Sequence, residues 1–396
     1  MNTKDTTVLV VGGGFAGVKT ALELSKERKL NITLLSDRTD LRYYPALYHS
    51  ATGGKQAQGS IPLEKLTAGK RITLAQGRAE KLDRKAKTIT TADGKKYKFD
   101  ILILALGVVT NYFGIEGLAE HSFGIKSWEQ IQAFKQHIHE QFNGKDTSDL
   151  HYVIVGGGPT GIELACALPE YLADIMKHHG VTRKVKIEIV ESNPRLLPRS
   201  NPGTSKAVMK RAEKLGIELN LGKVVQKLTP TTLTVSGEEI ATDTVVWTAG
   251  TGNNPFFKDN DFTINERGKV VVDGSLRSEE GIYVLGDNAA TPYSGLAQIA
   301  IHDGHFAAHD ILRRFNSEEP KAYKVAPPIT VVPVGPHWAA VEWRGFGIHG
   351  WIGWVLRLAA DWIGFKDLEP VLPATKQWMY EFGGEEDCAT CKKSDS

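Results

Sequence analysis

One stretch of this chain is written twice. VLVVGGGFAGVKTALEL begins at Val8, and YVIVGGGPTGIELACAL begins at Tyr152. Each copy reads as an apolar strand, a glycine turn, and a helix with small residues on its first turns. Strands alternating with helices argue for parallel α/β layers. A repeat on this scale argues for two such domains rather than one large one.

The glycines carry the chemistry. In Gly12-x-Gly14-x-x-Gly17 the first glycine permits the tight turn, the second lets a pyrophosphate approach the backbone, and the third lets helix and strand pack closely. Gly156, Gly158 and Gly161 repeat the pattern. Alone the pattern is weak, but between an apolar strand and a helix it has the required context. A carboxylate is expected about 20 residues on, at the ribose. In the first copy Asp37 answers that spacing and Ser36 precedes it, so the contact stays open between them. In the second copy it is Glu191, delayed by a long helix over 162–179. A carboxylate there accepts from a ribose 2′-OH and repels a 2′-phosphate. A third strand ends in Gly286-Asp287 within GIYVLGD.

The remaining pattern suggests strands over 97–106, 185–190, 243–247 and 281–285. It suggests helices over 127–142 and about 294–315, and a linker over 320–328. The first domain thus reads as interrupted: 1–110 opens it, 111–267 is an inserted domain, and 268–325 closes it. Residues 326–382 are rich in Trp and Gly, and the polar tail 383–396 reads as disordered. The 396 residues include 48 basic and 46 acidic ones, a net charge of +2 that asks for no nucleic acid. No run approaches the roughly 20 apolar residues of a membrane span. Met1 leads almost directly into the first strand without a signal pattern. These features read as a cytoplasmic protein that meets a membrane only from its surface.

At this point a resemblance enters. GGGFAG at Gly12, YYPALYHSATGG at Tyr43, LILALGVVTNYFGIEGLAEHSFGIKS at Leu102, VESNPRLLP at Val190, VVWTAG at Val245, GIYVLGDNA at Gly281 and GLAQIAIHDG at Gly295 resemble the type II NADH:quinone oxidoreductases. These belong to the wider pyridine-nucleotide–disulfide reductase superfamily. The resemblance implies FAD in the interrupted Rossmann-like domain, NADH in the inserted one, and a quinone acceptor, without proton pumping. It also implies that Gly12, Gly14, Phe15, Ala16 and Gly17 line the FAD pyrophosphate, with Pro45, Ala105 and Gly107 nearby. Asp287 beside Gly286 would hold the ribityl chain, Ala297 and Gln298 the pyrimidine end of the flavin. Gly250 would join the Gly156 motif and Glu191 at NADH. Glu163 matches a glutamate between nicotinamide and flavin, although a carboxylate on a first helical turn also complements the macrodipole. Glu163, Gln298 and His302 are the expected catalytic set. His302 departs from the family pattern, which has Gln there; an imidazole can donate a hydrogen bond or a proton to a quinone carbonyl.

Other constellations read more plainly. His302, His305 and His309 share helical spacing beside Asp303, but a closed zinc set needs three or four ligands, so no metal is expected. Cys388-x-x-Cys391 lacks a second pair, and Cys166 reads as core packing. The first 165 residues contain no cysteine, which disfavours disulfide and sulfide chemistry at a flavin. A soluble reductase of a carrier protein or small acceptor, and a slow-turnover flavin sensor, are the alternative functions. Finally, GWIGWVLRLAADWIGF from Gly350 places Trp351, Trp354, Val355, Leu358 and Trp362 on one helical stripe, away from Arg357 and Ala360. Such a stripe suits a headgroup boundary or a homodimer interface. The expectation is a peripheral protein on the cytoplasmic side of the cell membrane.

Overall fold

The computed structural model describes residues 6–143, 148–242 and 244–383. Cys388, Cys391 and the polar tail from 384 onward lie outside them. Strand β1 (Thr6–Val11) leads into α1 (Phe15–Leu24) and β2 (Leu30–Ser36). A short α2 (Leu47–Ala51) precedes β3 (Ile72–Gln76), β4 (Ile101–Leu104) and β5 (Val108–Thr110). After α3 (Trp128–Asn143), the second copy of the repeat forms β6 (Leu150–Val155), α4 (Pro159–His179) and β7 (Val185–Glu191). Then come β8 (Ile217–Leu221), β9 (Thr244–Trp247), β10 (Thr251–Asn253), β11 (Arg277–Glu279), β12 (Ile282–Val284) and α5 (Ala297–Phe315). The C-terminal part is a meander, β13 (Thr330–Pro333), β14 (Ala339–Trp343) and β15 (Phe346–Gly350), followed by α6 (Trp351–Lys366) and α7 (Val371–Met379).

Among the described residues two of the sheets are Rossmann-type. The larger has the order β11-β12-β4-β1-β2-β3, the smaller β8-β7-β6-β9. Strands from before residue 105 and after residue 276 share the larger sheet, while the smaller draws only on residues 150–247. The antiparallel pair β5 and β10 links the two, with Val109 opposite Gly252. The central strands are parallel and buried on both faces, so Val8–Val11 and Tyr152–Val155 are apolar without alternation.

The two copies repeat in register as well as in sequence. Val11 pairs with Leu35 and Leu104, and Val155 pairs with Val190 and Trp247. Ser36 and Glu191 are therefore equivalent strand-end positions, as are Ala105 and Thr248. Observed helix starts differ slightly from those expected: α4 begins at Pro159 and α5 at Ala297, each behind an extended residue that carries no side-chain cap.

The C-terminal helix corrects one expectation. Helix α6 forms over the Trp-rich stretch, and its outer face keeps Trp351 and Val355 of the expected stripe, while Trp354, Leu358 and Trp362 are half-buried. Gly353, Arg357 and Phe365 point inward and are buried, while Trp351, Ile352, Val355, Leu356 and Ile363 are exposed. Trp354 packs edge-on against His337, and Trp362 Nε1 donates to Thr375 Oγ1 at 3.1 Å. Glycine sets this rotation. A Cβ at Gly353 would lie 2.2 Å from the Ala339 carbonyl oxygen, and one at Gly364 would lie 2.3 Å from the Tyr43 hydroxyl. The helix turns its small residues inward, and the Arg357 guanidinium goes with them.

Candidate functional site

The first glycine turn is shaped by its neighbours. Gly12 has φ of +118°, and a Cβ there would lie 2.1 Å from the Ala105 carbonyl oxygen. A Cβ at Gly17 would lie 2.0 Å from the Gly12 carbonyl oxygen. At Gly14, the residue before α1, a Cβ meets nothing within 4 Å, and no side chain caps the helix. The second copy repeats this: Gly156 at φ +121°, Gly161 with a Cβ 2.0 Å from the Gly156 oxygen, and open space at Gly158. Each motif thus leaves an uncapped helix start facing a cradle free of side chains, the arrangement that accepts phosphate oxygens. Gly12 N–H donates to the Leu35 oxygen at 2.8 Å, and Gly156 N–H to the Val190 oxygen at the same distance.

The strand-end residues differ in character. Ser36 Oγ accepts from Arg38 N–H at 3.1 Å, and its neighbour Asp37 is an exposed carboxylate. Buried Arg38 Nε has no hydrogen-bond partner and lies 3.9 Å from the Asp37 carboxylate. Glu191 is buried and heavily engaged. Its Oε2 accepts from Gly157 N–H at 2.6 Å, and its Oε1 accepts from Asn193 N–H and Asn193 Nδ2. Burial opposes ionisation, but these hydrogen bonds outweigh it and hold the carboxyl below its ordinary range. Glu191 therefore fixes the glycine turn itself and keeps acceptor capacity on Oε2.

The Gly286-Asp287 turn sits against both long helices. A Cβ at Gly286 would touch Ala300 and Ala16 at ordinary distance. Asp303, fully buried on α5, anchors the turn: its Oδ2 accepts from Gly286 N–H at 2.9 Å and its Oδ1 from the Tyr323 hydroxyl at 2.5 Å. Burial pushes its carboxyl up to about 6, against the pull of those bonds. Burial also raises Asp287, opposed by Lys269. Asn288 ties the domains together, accepting from Gly107 N–H and donating to the Gly107 and Asn253 oxygens. Asp303 and Asn288 were not picked from the sequence, although GDN and HDG stand beside the chosen residues. Gly250, in the second domain, accepts at its carbonyl from Lys126 Nζ at 3.4 Å, and burial lowers that ammonium.

Glu163 lies buried on α4. Burial pushes its carboxyl up to about 8; Arg357 lowers it and Asp361 raises it. Arg357 sits 2.7 Å from Asp361 and pairs with Glu381, which also accepts from Gln58. The expected set had Arg357 outside this region. The signal for it was an Arg and an Asp four residues apart inside an apolar run. Pro45 lies in the turn before α2, next to Tyr43, whose ring stacks on Phe365 at 4.1 Å and meets Phe15 at 5.6 Å. Tyr43 thereby bridges the first glycine motif and α6.

The other two expected catalytic residues face a different way. Ala297 opens α5 and packs on the first domain's core. Gln298 Oε1 accepts from Ile329 N–H at 3.2 Å. His302 Nε2 lies 2.9 Å from the Lys324 oxygen, its ring near Tyr323. Both therefore touch the segment leading to the C-terminal meander. Cys166, the only cysteine among the described residues, is buried, and burial pushes its thiol up to about 12.

Comparisons with known proteins agree with this architecture. Residues 6–304 match the family model described as pyridine nucleotide-disulphide oxidoreductase. Type II NADH:quinone oxidoreductases of Staphylococcus aureus strains NCTC 8325 and COL are each 29% identical over 355 residues, covering 83% of this chain and 88% of the relative. NDH2 of Plasmodium falciparum, solved in complex with NADH, superposes with a TM-score of 0.82 at 16% identity, covering 96% of this chain and 97% of that one. The sulfide:quinone oxidoreductase of Aquifex aeolicus gives 0.79 at 21% identity, with 98% of each chain covered. At those identities the two solved structures speak for the fold alone.

Proposed function

The chain belongs to the pyridine nucleotide-disulphide oxidoreductase family, and we propose that it is a type II NADH:quinone oxidoreductase passing electrons from NADH through FAD to a membrane quinone without pumping protons. It is an NADH-dependent flavoprotein oxidoreductase. FAD, when bound, supplies the two-electron chemistry between donor and acceptor. The residues supply binding, orientation and proton control. The first cradle, with Gly12, Gly14 and Gly17, holds the FAD pyrophosphate, and the Asp303-anchored turn presents Asp287 to the ribityl hydroxyls. The second cradle, with Gly156, Gly158, Gly161 and Glu191, holds NADH. Buried Glu163, largely protonated at neutral pH, is a proton donor under the influence of Arg357 and Asp361. Gln298 and His302 serve the acceptor side.

The observation that carries the quinone reading is the apolar surface of the C-terminal part. Trp343, Phe346, Trp351, Ile352, Ile363 and Leu372 are all exposed, Phe346 at 77% and Leu372 at 83%. Exposed patches of this kind mark interaction surfaces. No helix among the described residues is long and apolar enough to cross a membrane, and the proposed contact is peripheral. The domain limits 1–110, 111–267, 268–325 and 326–382 form part of this proposal. So do a homodimer and residence on the cytoplasmic face.

The test is NADH oxidation by the intact protein with a lipophilic and a water-soluble quinone, with and without liposomes, alongside vesicle flotation. Flotation with faster turnover of the lipophilic quinone on liposomes supports the proposal. A protein that stays unbound and reduces soluble acceptors alone overturns it in favour of a soluble reductase.

A further inference from the structure

We propose that Glu23, His305 and His309 form a binding site for a divalent transition-metal ion, with zinc as its expected occupant, clipping α1 to α5 on the outside of the first dinucleotide domain. His305 and His309 stand four residues apart on α5 and so share one helical face. Their rings lie 4.3 Å apart. Glu23, on the last turn of α1, reaches across to both: His305 Nδ1 is 3.3 Å from its Oε1, and His309 Nε2 is 3.7 Å from its Oε2. One ligand atom from each of the three residues lies within 4.8 Å of the others.

These spacings suit a metal. Zinc bonds of about 2.0–2.1 Å in tetrahedral geometry put ligand atoms roughly 3.3 Å apart. The two histidine–carboxylate edges, one to each oxygen of Glu23, are 3.3 and 3.7 Å, so side-chain rotations alone bring one carboxylate oxygen and both imidazoles onto a single ion. Two imidazoles and a carboxylate, with water as the fourth ligand, form a nitrogen–oxygen set that a borderline ion accepts. The scaffold beneath is rigid. A Cβ on Gly304 would lie 2.5 Å from the Ala16 oxygen, and Thr20 Oγ1 donates to the Gly304 oxygen at 3.3 Å. The two histidines are exposed enough for an ion to enter.

The rival occupants are the protein's own cations. Lys19 Nζ lies 3.1 Å from Glu23 Oε1, and Lys26 Nζ lies 3.4 Å from Oε2. Lys26 is largely exposed, so little holds it there; Lys19 has a second acceptor in the Asp367 oxygen at 3.2 Å. Both can yield to a divalent ion without being stranded. From the sequence only the histidine pair was visible, because the third ligand sits on a helix far away in the chain. A bound ion would join the helix that begins at the first glycine motif to the helix that carries Gln298 and His302.

The experiment uses untagged, FAD-loaded full-length protein with Cys388→Ser and Cys391→Ser, so that the tail thiols cannot bind zinc. After chelation and gel filtration, zinc chloride is titrated by calorimetry, and the thermal midpoint is read with and without zinc. The expected result is one saturable equivalent and a raised midpoint. His309→Ala, His305→Ala and Glu23→Gln should each weaken binding by at least the roughly 10–100-fold that loss of even an outer partner produces, with flavin content unchanged. His305 and His309 are both about half-exposed, His305 the more so, which makes the two alanine variants less able to disturb folding than a change at Glu23. Absence of saturable binding, or equal binding by wild type and His309→Ala, overturns the proposal.

Discussion

Gly14→Ala and Gly17→Ala add the same methyl group three residues apart, yet the structure assigns them opposite consequences. At Gly17 the new Cβ would lie 2.0 Å from the Gly12 carbonyl oxygen, a backbone atom that cannot rotate aside. Relief requires α1 to withdraw from the β1 turn by roughly 1 Å or more, an overpacking strain of about 1–3 kcal/mol. At about 2–4 °C per kcal/mol for a domain of this size, the flavin-free protein should melt several degrees early. At Gly14 the backbone is extended, with φ of −88° and ψ of −172°, and the Cβ meets nothing. Flavin-free stability should stay within about 1 kcal/mol of wild type, or rise, because alanine restricts the unfolded chain. The cost appears only on binding. If the pyrophosphate occupies that open space, crowding of about 1–3 kcal/mol weakens FAD roughly 5- to 150-fold. Calorimetry of the stripped protein, together with FAD titration by fluorescence quenching, separates the two effects. A Gly14→Ala protein that binds FAD as wild type does, or that melts as early as Gly17→Ala, would refute the assignment of that space to the cofactor.

Further outcomes follow from the same geometry. Glu191→Gln puts an amide N–H₂ among donors from Gly157 and Asn193, so it should destabilise by about 1–3 kcal/mol and narrow the preference for NADH over NADPH; an unchanged cofactor ratio would mean another residue reads the ribose. Glu163 has a folded-state value of about 8 against the usual 4.5. Its stabilising protonated form is therefore complete below the usual value and is lost progressively until pH passes about 8, so Glu163→Gln should flatten the fall in thermal midpoint between about pH 5 and 8, and a persisting fall would place that titration elsewhere. Arg357→Met leaves Asp361 and Glu381 buried without their cation, for a loss of about 3–5 kcal/mol in denaturant unfolding; a loss below about 1 kcal/mol would show that the cluster is hydrated. In stopped flow, His302→Ala should leave flavin reduction by NADH nearly unchanged and slow reoxidation by quinone, and the reverse pattern would move His302 to the donor side.

The parts of this fold that were legible from sequence are those governed by local rules. A buried parallel strand must be continuously apolar, and a phosphate turn must be glycine at three fixed spacings, so Val8–Gly17 and Tyr152–Gly161 announce themselves. Their register equivalence carries further than spacing alone: counting residues left Ser36 and Asp37 tied, whereas the pairing of Val11 with Leu35 sets Ser36 at the position Glu191 holds in the second copy. Asp303 and Asn288 escaped notice because their work is long-range. Asp303 reaches Gly286 and Asn288 reaches Asn253 through contacts that only the closed fold creates.

Helix α6 shows how close backbone approach decides which face a helix presents. Tryptophan was weighted as the outward anchor because it suits a headgroup boundary, but which side of a helix turns inward is decided by what can approach it. Gly353 and Gly364 admit the Ala339 backbone and the Tyr43 ring at distances that no side chain allows. That requirement rotates the whole helix and carries Arg357 inward, where an isolated cation would be prohibitive. Asp361, one turn on, and Glu381 from the following segment meet it there. The same rotation presents Ile352 and Ile363 to the outside beside Trp351 and Val355, so the apolar surface keeps part of the expected stripe and adds neighbours to it. In the proposed function one helix joins the two halves of the reaction: its apolar outer face is the surface offered to a membrane, and its inner face places Arg357 and Asp361 where they act on buried Glu163.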